Sequence, residues 1–186
     1  MGWKIGKMYS SVREGTSIVA IFGAILAMSL VMISVSVFVN VYLHELGHYV
    51  VADHYGLEPD MHIDSIIEGE PGEARFNMNP EAYVRYRNPG DTWKNIFVTA
   101  AGPLMNLLLF VFFFSMNIMS KRWFRKKIRV AKRVDPKSAV VYIRASFMVD
   151  LVLLSMAVPS LISFIVNMMN IPGSDGAHLR QLIREL

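Results

Sequence analysis

Three long apolar stretches dominate the pattern of the chain, at residues 18–41, 96–119 and 145–169. Each meets the ~20 helical residues needed to cross a hydrocarbon core of ~30 Å. The first continues to Val50. A helix of about 33 residues spans roughly 50 Å at 1.5 Å per residue, so it must tilt, kink or project beyond the bilayer. Gly56 and Pro59 end it. The period then changes. Residues 61–67 and 74–78 alternate apolar and polar positions on either side of a Glu-Gly-Glu-Pro-Gly turn, the pattern of a β-hairpin. Pro80, Asn88, Pro89 and Gly90 break the chain before the second apolar helix, and Pro136 closes the polar stretch after it. The last helix runs over about 139–170, with a kink expected at Pro159.

Six segments follow: a tail at 1–17, a transmembrane helix at 18–52, an acidic hairpin and loop at 53–91, and a second transmembrane helix at 92–120. A basic loop at 121–138 and a final transmembrane helix with its tail at 139–186 complete the chain. The expected fold is an all-α integral membrane protein with about three core transmembrane helices and a small β-hairpin element.

Composition narrows the chemistry. Hydrophobic residues make up 53% and charged residues 18%, against about a quarter charged in soluble domains. There is no cysteine, which removes a disulfide framework, a thiolate nucleophile and a Cys-rich zinc site. Any metal is therefore held by imidazole and carboxylate. The first apolar run is too long for a signal peptide and lacks a small-residue cleavage site. Charge is segregated, with nine acids against three bases over 53–91 and nine bases against one acid over 121–137. Basic blocks beside membrane helices mark the cytoplasmic side. Attraction to lipid headgroups accounts for this one, so the bilayer, and not nucleic acid, is the expected partner.

The sharpest chemical signal is His44-Glu-Leu-Gly-His48. On a helix, residues four apart share a face at about 5–6 Å, so both imidazoles reach one zinc ion while Glu45 touches an activated water as general base. The motif continues directly from a transmembrane stretch, where each ionisable side chain costs roughly 2.5–3.5 kcal/mol if buried centrally. Three such residues there imply function.

A catalytic zinc takes three protein ligands, and four residues compete for the third place: His54, His62, Asp150 and Asp175. His54 has metzincin spacing, but Val51 stands where that motif needs a turn-forming glycine. His62 falls in a polar strand. Asp150 is read near a helix end, within reach of Arg144. Asp175 sits in the Pro172-Gly-Ser-Asp-Gly176 break, which can aim a carboxylate inward, although a loop or capping aspartate would look the same. In the second helix, Gly102, Pro103 and Asn106 suggest close helix contact, a bend and one buried hydrogen-bonding group.

Together these pieces resemble the site-2 protease family of intramembrane zinc metalloproteases. That family carries H-E-x-x-H, G-P-x-x-N and N-x-x-P-x-P-x-x-D-G on successive core helices. The chain has His44-Glu-Leu-Gly-His48, Gly102-Pro-Leu-Met-Asn106 and a segment from Asn167 to Asp175-Gly176 in the same order. Asn170 and Ser174 depart from the pattern at positions that are not ligands. The resemblance implies Zn2+ held by His44, His48 and Asp175, with Glu45 as the base. It implies that Asn106 helps hold the substrate or polarise its carbonyl, with Asn167 in support. The hairpin would present substrate in extended form. The family places the loop after the zinc helix in the cytosol, whereas the charge pattern places it outside. The expected activity is hydrolysis of peptide bonds within or beside transmembrane segments of other membrane proteins, by a multi-pass protein of the cell membrane. Two alternatives stand beside it: a membrane zinc protease acting on soluble or unfolded segments, and an inactive relative that binds membrane proteins. The first lacks a well-placed glutamate ligand, and the intact Glu45 argues against the second.

Overall fold

In a computed structural model the described residues are 2–63, 67–68, 75–76 and 82–186, with side chains placed at residue 20 and from 23 on, apart from 64–81. The chain is mostly helical, with α1 at Gly2–His54, α2 at Thr92–Val134, α3 at Pro136–Met168 and α4 at Asp175–Arg184. Three of these are long and apolar enough to cross a membrane, over Gly23–His54, Thr92–Val134 and Pro136–Met168. Their outer faces carry large apolar side chains such as Leu30, Phe112 and Val141, as expected where lipid replaces water as the solvent.

The helices are longer than the sequence pattern suggests. Residues 2–17, read as a tail, continue α1, and residues 121–134, read as a basic loop, continue α2. Lys and Arg are good helix formers, and no proline or glycine interrupts residues 121–134. A polar composition marks the end of the apolar span without ending the helix. The real break is Asp135-Pro136. Asp135 caps α3 by accepting from the Lys137 and Ser138 backbone N–H groups, and Pro136 occupies the first turn, where its missing N–H is not needed. The α3 helix then runs through Pro159 to Met168.

The α1 helix ends where Gly56, at φ 66°, lets the chain reverse. The Leu57 N–H returns to the Ala52 carbonyl at 3.0 Å and the Gly56 N–H to Asp53 at 2.8 Å, satisfying carbonyls of the last turn. Leu57 thereby packs with Ala52 and Val98 into a small core, flanked by Tyr55 and Tyr86. This core anchors the sheet that follows.

The sheet differs from a single hairpin. The strands are β1 at Asp60–Ile63, β2 at Ile67–Glu68, β3 at Arg75–Phe76 and β4 at Ala82–Arg85. The β2 and β3 strands pair with each other, Ile67 opposite Phe76, in the region where a hairpin is expected. The β1 strand instead pairs with β4, Met61 opposite Val84 and Ile63 opposite Ala82. The backbone bond from Arg87 to the Leu57 carbonyl, at 2.9 Å, continues that pairing toward the core. The β4 strand is thus fastened against the end of α1.

Candidate metal centre

His44 and His48 lie one turn apart on α1, both buried, with ring centroids 4.8 Å apart and planes at 85°. Asp175 reaches them from the first turn of α4. Its Oδ2 is 3.0 Å from His44 Nε2 and 3.4 Å from His48 Nε2, and the two Nε2 atoms are 3.2 Å apart. The structure therefore brings together His44, His48 and Asp175, whose ligand atoms all lie within 4.8 Å of one another.

Close backbone packing makes this possible. A Cβ on Gly47 would sit 2.8 Å from the Ala101 carbonyl oxygen, and one on Gly102 would overlap His48 Nε2. The two glycines let α1 and α2 approach until both imidazoles fit between them. At the other end, a Cβ on Gly176 would lie 2.5 Å from the Met168 carbonyl. That contact holds α4 against the end of α3. Gly173, at φ 85°, and the Ser174 cap on Ala177 N–H start α4 so that Asp175 is in its first turn, where the helix dipole favours a carboxylate.

The far ring nitrogens are held as well. His48 Nδ1 donates to the Val98 carbonyl at 2.7 Å, which leaves the Nε2 lone pair facing the centre. His44 Nδ1 lies 3.0 Å from the Asn106 amide nitrogen and 3.5 Å from that of Asn167, while Asn106 Oδ1 is buried without a partner among the described residues. Turning the Asn106 amide by half a rotation sets Oδ1 on an Nδ1–H of His44 and relieves that orphan. Both imidazoles then present Nε2 lone pairs to Asp175. Two lone pairs and a carboxylate aimed at one point repel one another unless a proton or a metal cation lies between them. Burial pushes the Asp175 carboxyl up, but with a proton on each Nε2 the His44 and His48 imidazoles donate to it, outweigh this and hold it at about 2. Two imidazoles and a carboxylate, each imidazole tethered through its other nitrogen, form a donor set suited to zinc.

Glu45 is buried beside this group, and the Val84 backbone of β4 faces its carboxylate. A cavity of about 650 Å³ opens at the centre, bordered by Glu45, Tyr83, Thr99, Asn167 and His178 among others. Three protein ligands leave a coordination position for this space.

The other candidates lie elsewhere. His54 is in the last turn of α1, its ring 5.5 Å from Tyr55. His62 stacks on Tyr83 at 5.1 Å. Asp150 is within α3 and accepts from Asn117 Nδ2 at 3.0 Å, so its partner is an amide on α2. The pairing expected with Arg144 gives way to a neighbour that the sequence order does not place nearby. Asn106 contacts His44, not the open cavity. Sequence reasoning did not find Val98, whose contribution is a carbonyl. It also passed over β4, although alternation over Ala82-Tyr-Val-Arg-Tyr-Arg87 carried a strand signal.

Comparison with known families decides the affiliation. The family model described as peptidase family M50, the site-2 protease family, matches residues 28–185. The chain belongs to this family. Members of M50 are intramembrane metalloproteases, and the three apolar helices agree with a membrane protein. The match spans all the residues of the M50 chain that gather at the centre, from His44 to Asp175. Searches of curated proteins and of solved structures found no match.

Proposed function

We propose that this protein is a zinc endopeptidase of the cell membrane that cuts other membrane proteins within or beside their transmembrane segments. The observation that carries the reading is the meeting of His44, His48 and Asp175 at one point, with Glu45 beside them in the same cavity. Zinc bound by these three ligands would supply Lewis acidity, lowering the pKa of a water and polarising the scissile carbonyl.

The chain's own residues do the rest. Glu45 takes a proton as the water oxygen bonds to the carbonyl carbon, and returns it to the amine nitrogen as the C–N bond breaks. The Val84 backbone contact orients the Glu45 carboxylate. Asn106 and Val98 keep the two imidazoles in the tautomer that leaves Nε2 free, which makes Asn106 a positioning residue. With the Val84 N–H turned toward Glu45, one edge of β4 faces the cavity while the other pairs with β1. An extended substrate segment laid along that edge would have its backbone groups satisfied and its scissile bond near Glu45. A helical transmembrane substrate must be unwound before cleavage, and strand addition provides a means. The bilayer delivers the substrate laterally.

The test measures zinc content and cleavage of a reporter transmembrane substrate for wild type, Glu45→Gln and Asp175→Asn. Glu45→Gln is expected to keep zinc and lose cleavage, and Asp175→Asn to bind zinc more weakly. Full cleavage by Glu45→Gln overturns the role of the base, and wild-type zinc affinity in Asp175→Asn overturns the third ligand.

A further inference from the structure

A second cavity, of about 270 Å³, lies next to the metal centre and is lined by Asn40, Glu45, Asn106, Ser163 and Asn167. Ala82, His44, Glu45 and Asn167 border both cavities, so this space adjoins the reacting groups. Its lining is unusual for a membrane interior. Three helices each contribute an amide, and α3 adds a hydroxyl.

Asn40 stands one turn before His44 on the same face of α1. It is 1% exposed, and its amide is oriented by its neighbour. Nδ2 donates to the Ser36 carbonyl at 2.8 Å and lies 3.3 Å from Ser36 Oγ. Turning the amide would set Oδ1 against that carbonyl oxygen, so Oδ1 must face away from Ser36, where among the described residues it has no donor. Asn106 commits one amide atom to His44 and among the described residues has no partner for the other. An acceptor buried without a donor is costly, the more so where no bulk water reaches. Among the described residues nothing brings a donor to Asn40.

We propose that this pocket is a specificity subsite for a small side chain bearing a hydrogen-bond donor, such as Asn or Ser, next to the scissile bond, and that Asn40 sets the preference. The inference rests on the protease reading above. Along an extended substrate, neighbouring side chains project to opposite sides at about 3.3 Å per residue. The pocket shares His44 and Glu45 with the larger cavity, so a bond held at Glu45 places a flanking side chain at the pocket that Asn40 lines. Val41, which also lines the pocket, is exposed on the outer face of α1, so the pocket borders the side from which a membrane substrate arrives. A leucine seated there would leave the amides unpaired, whereas Asn or Ser would pair them.

The experiment uses the zinc-loaded full chain in lipid and a reporter transmembrane segment whose cut is mapped. Asn, Ser or Leu is placed in turn at each residue flanking that cut. Wild type is expected to prefer Asn and Ser over Leu at one flanking position by about tenfold or more in kcat/KM. Zinc-replete Asn40→Leu should bring that ratio to near one, and Ser163→Val should reduce it. If Asn40→Leu does not hold zinc, Ser163→Val decides: an unreduced ratio overturns the subsite. A wild-type ratio near one at every flanking position, as for a pocket that holds only water, overturns it too. So does an unchanged ratio in zinc-replete Asn40→Leu. If zinc-loaded wild type cuts no reporter at all, the protease reading falls and the subsite falls with it.

Discussion

Gly102 of α2 is packed against the His48 imidazole of α1 so closely that a single methyl group at residue 102 would overlap Nε2. The second helix therefore helps to shape the metal centre without supplying a ligand. Gly102→Ala should push the ring aside while leaving the ligand set intact. Zinc affinity, measured by competition with a chromogenic chelator, is expected to fall by about tenfold to a hundredfold, the range seen when the supports of ligands are disturbed. Wild-type affinity would show that the two helices separate freely at this point.

Asn106 offers a second lever on the same ligand. Its amide is the nearer of the two that reach His44 Nδ1, so Asn106→Leu removes a tether and fills the space with a side chain of similar size. Zinc affinity should again fall about tenfold to a hundredfold. If Asn106 instead contacts only substrate, KM rises while zinc affinity stays at the wild-type value, and the two measurements separate these roles.

Val84 acts through its backbone. A proline there removes the N–H that meets Glu45 and leaves the zinc ligands untouched. The expected outcome for Val84→Pro is full zinc content with kcat reduced about tenfold or more. Equal kcat in variant and wild type would mean that Glu45 is oriented by other contacts.

Asn117 and Asp150 form a polar pair between α2 and α3, away from the centre. Asp150→Leu strands the buried Asn117 amide and should lower stability by about 1–3 kcal/mol, read as a lower melting temperature in detergent. Adding Asn117→Leu should restore most of that loss, because two apolar partners leave nothing unpaired. A double variant as unstable as the single one would show that packing, not pairing, sets the cost.

Much of this was legible in the residues. The three apolar runs announced the spans, and the spacing of His44 and His48 announced two imidazoles side by side, because four-residue spacing places side chains on one face by local geometry alone. Asp175 could be favoured only through its glycine-rich setting and family pattern, since its approach depends on how α4 folds back onto α3. Helix ends were less visible. The Lys- and Arg-rich residues 121–134 looked like a loop because polarity reports the limit of the bilayer, not the limit of the helix. The pairing of β1 with β4 joins strands separated by nearly twenty residues, and periodicity carries no information about partners. Val98 could not be found from its side chain at all.

The proposed third ligand, Asp175, comes from α4, a ten-residue helix outside the three candidate spans. If Asp175 is a ligand, metal binding and the docking of that helix are coupled, and each would stabilise the other by the same amount. On the proposed reading, zinc would act here as a clasp as well as a reagent. Chelation should loosen the connection at residues 169–174 and make it a site of limited proteolysis, and restoring zinc should protect it again.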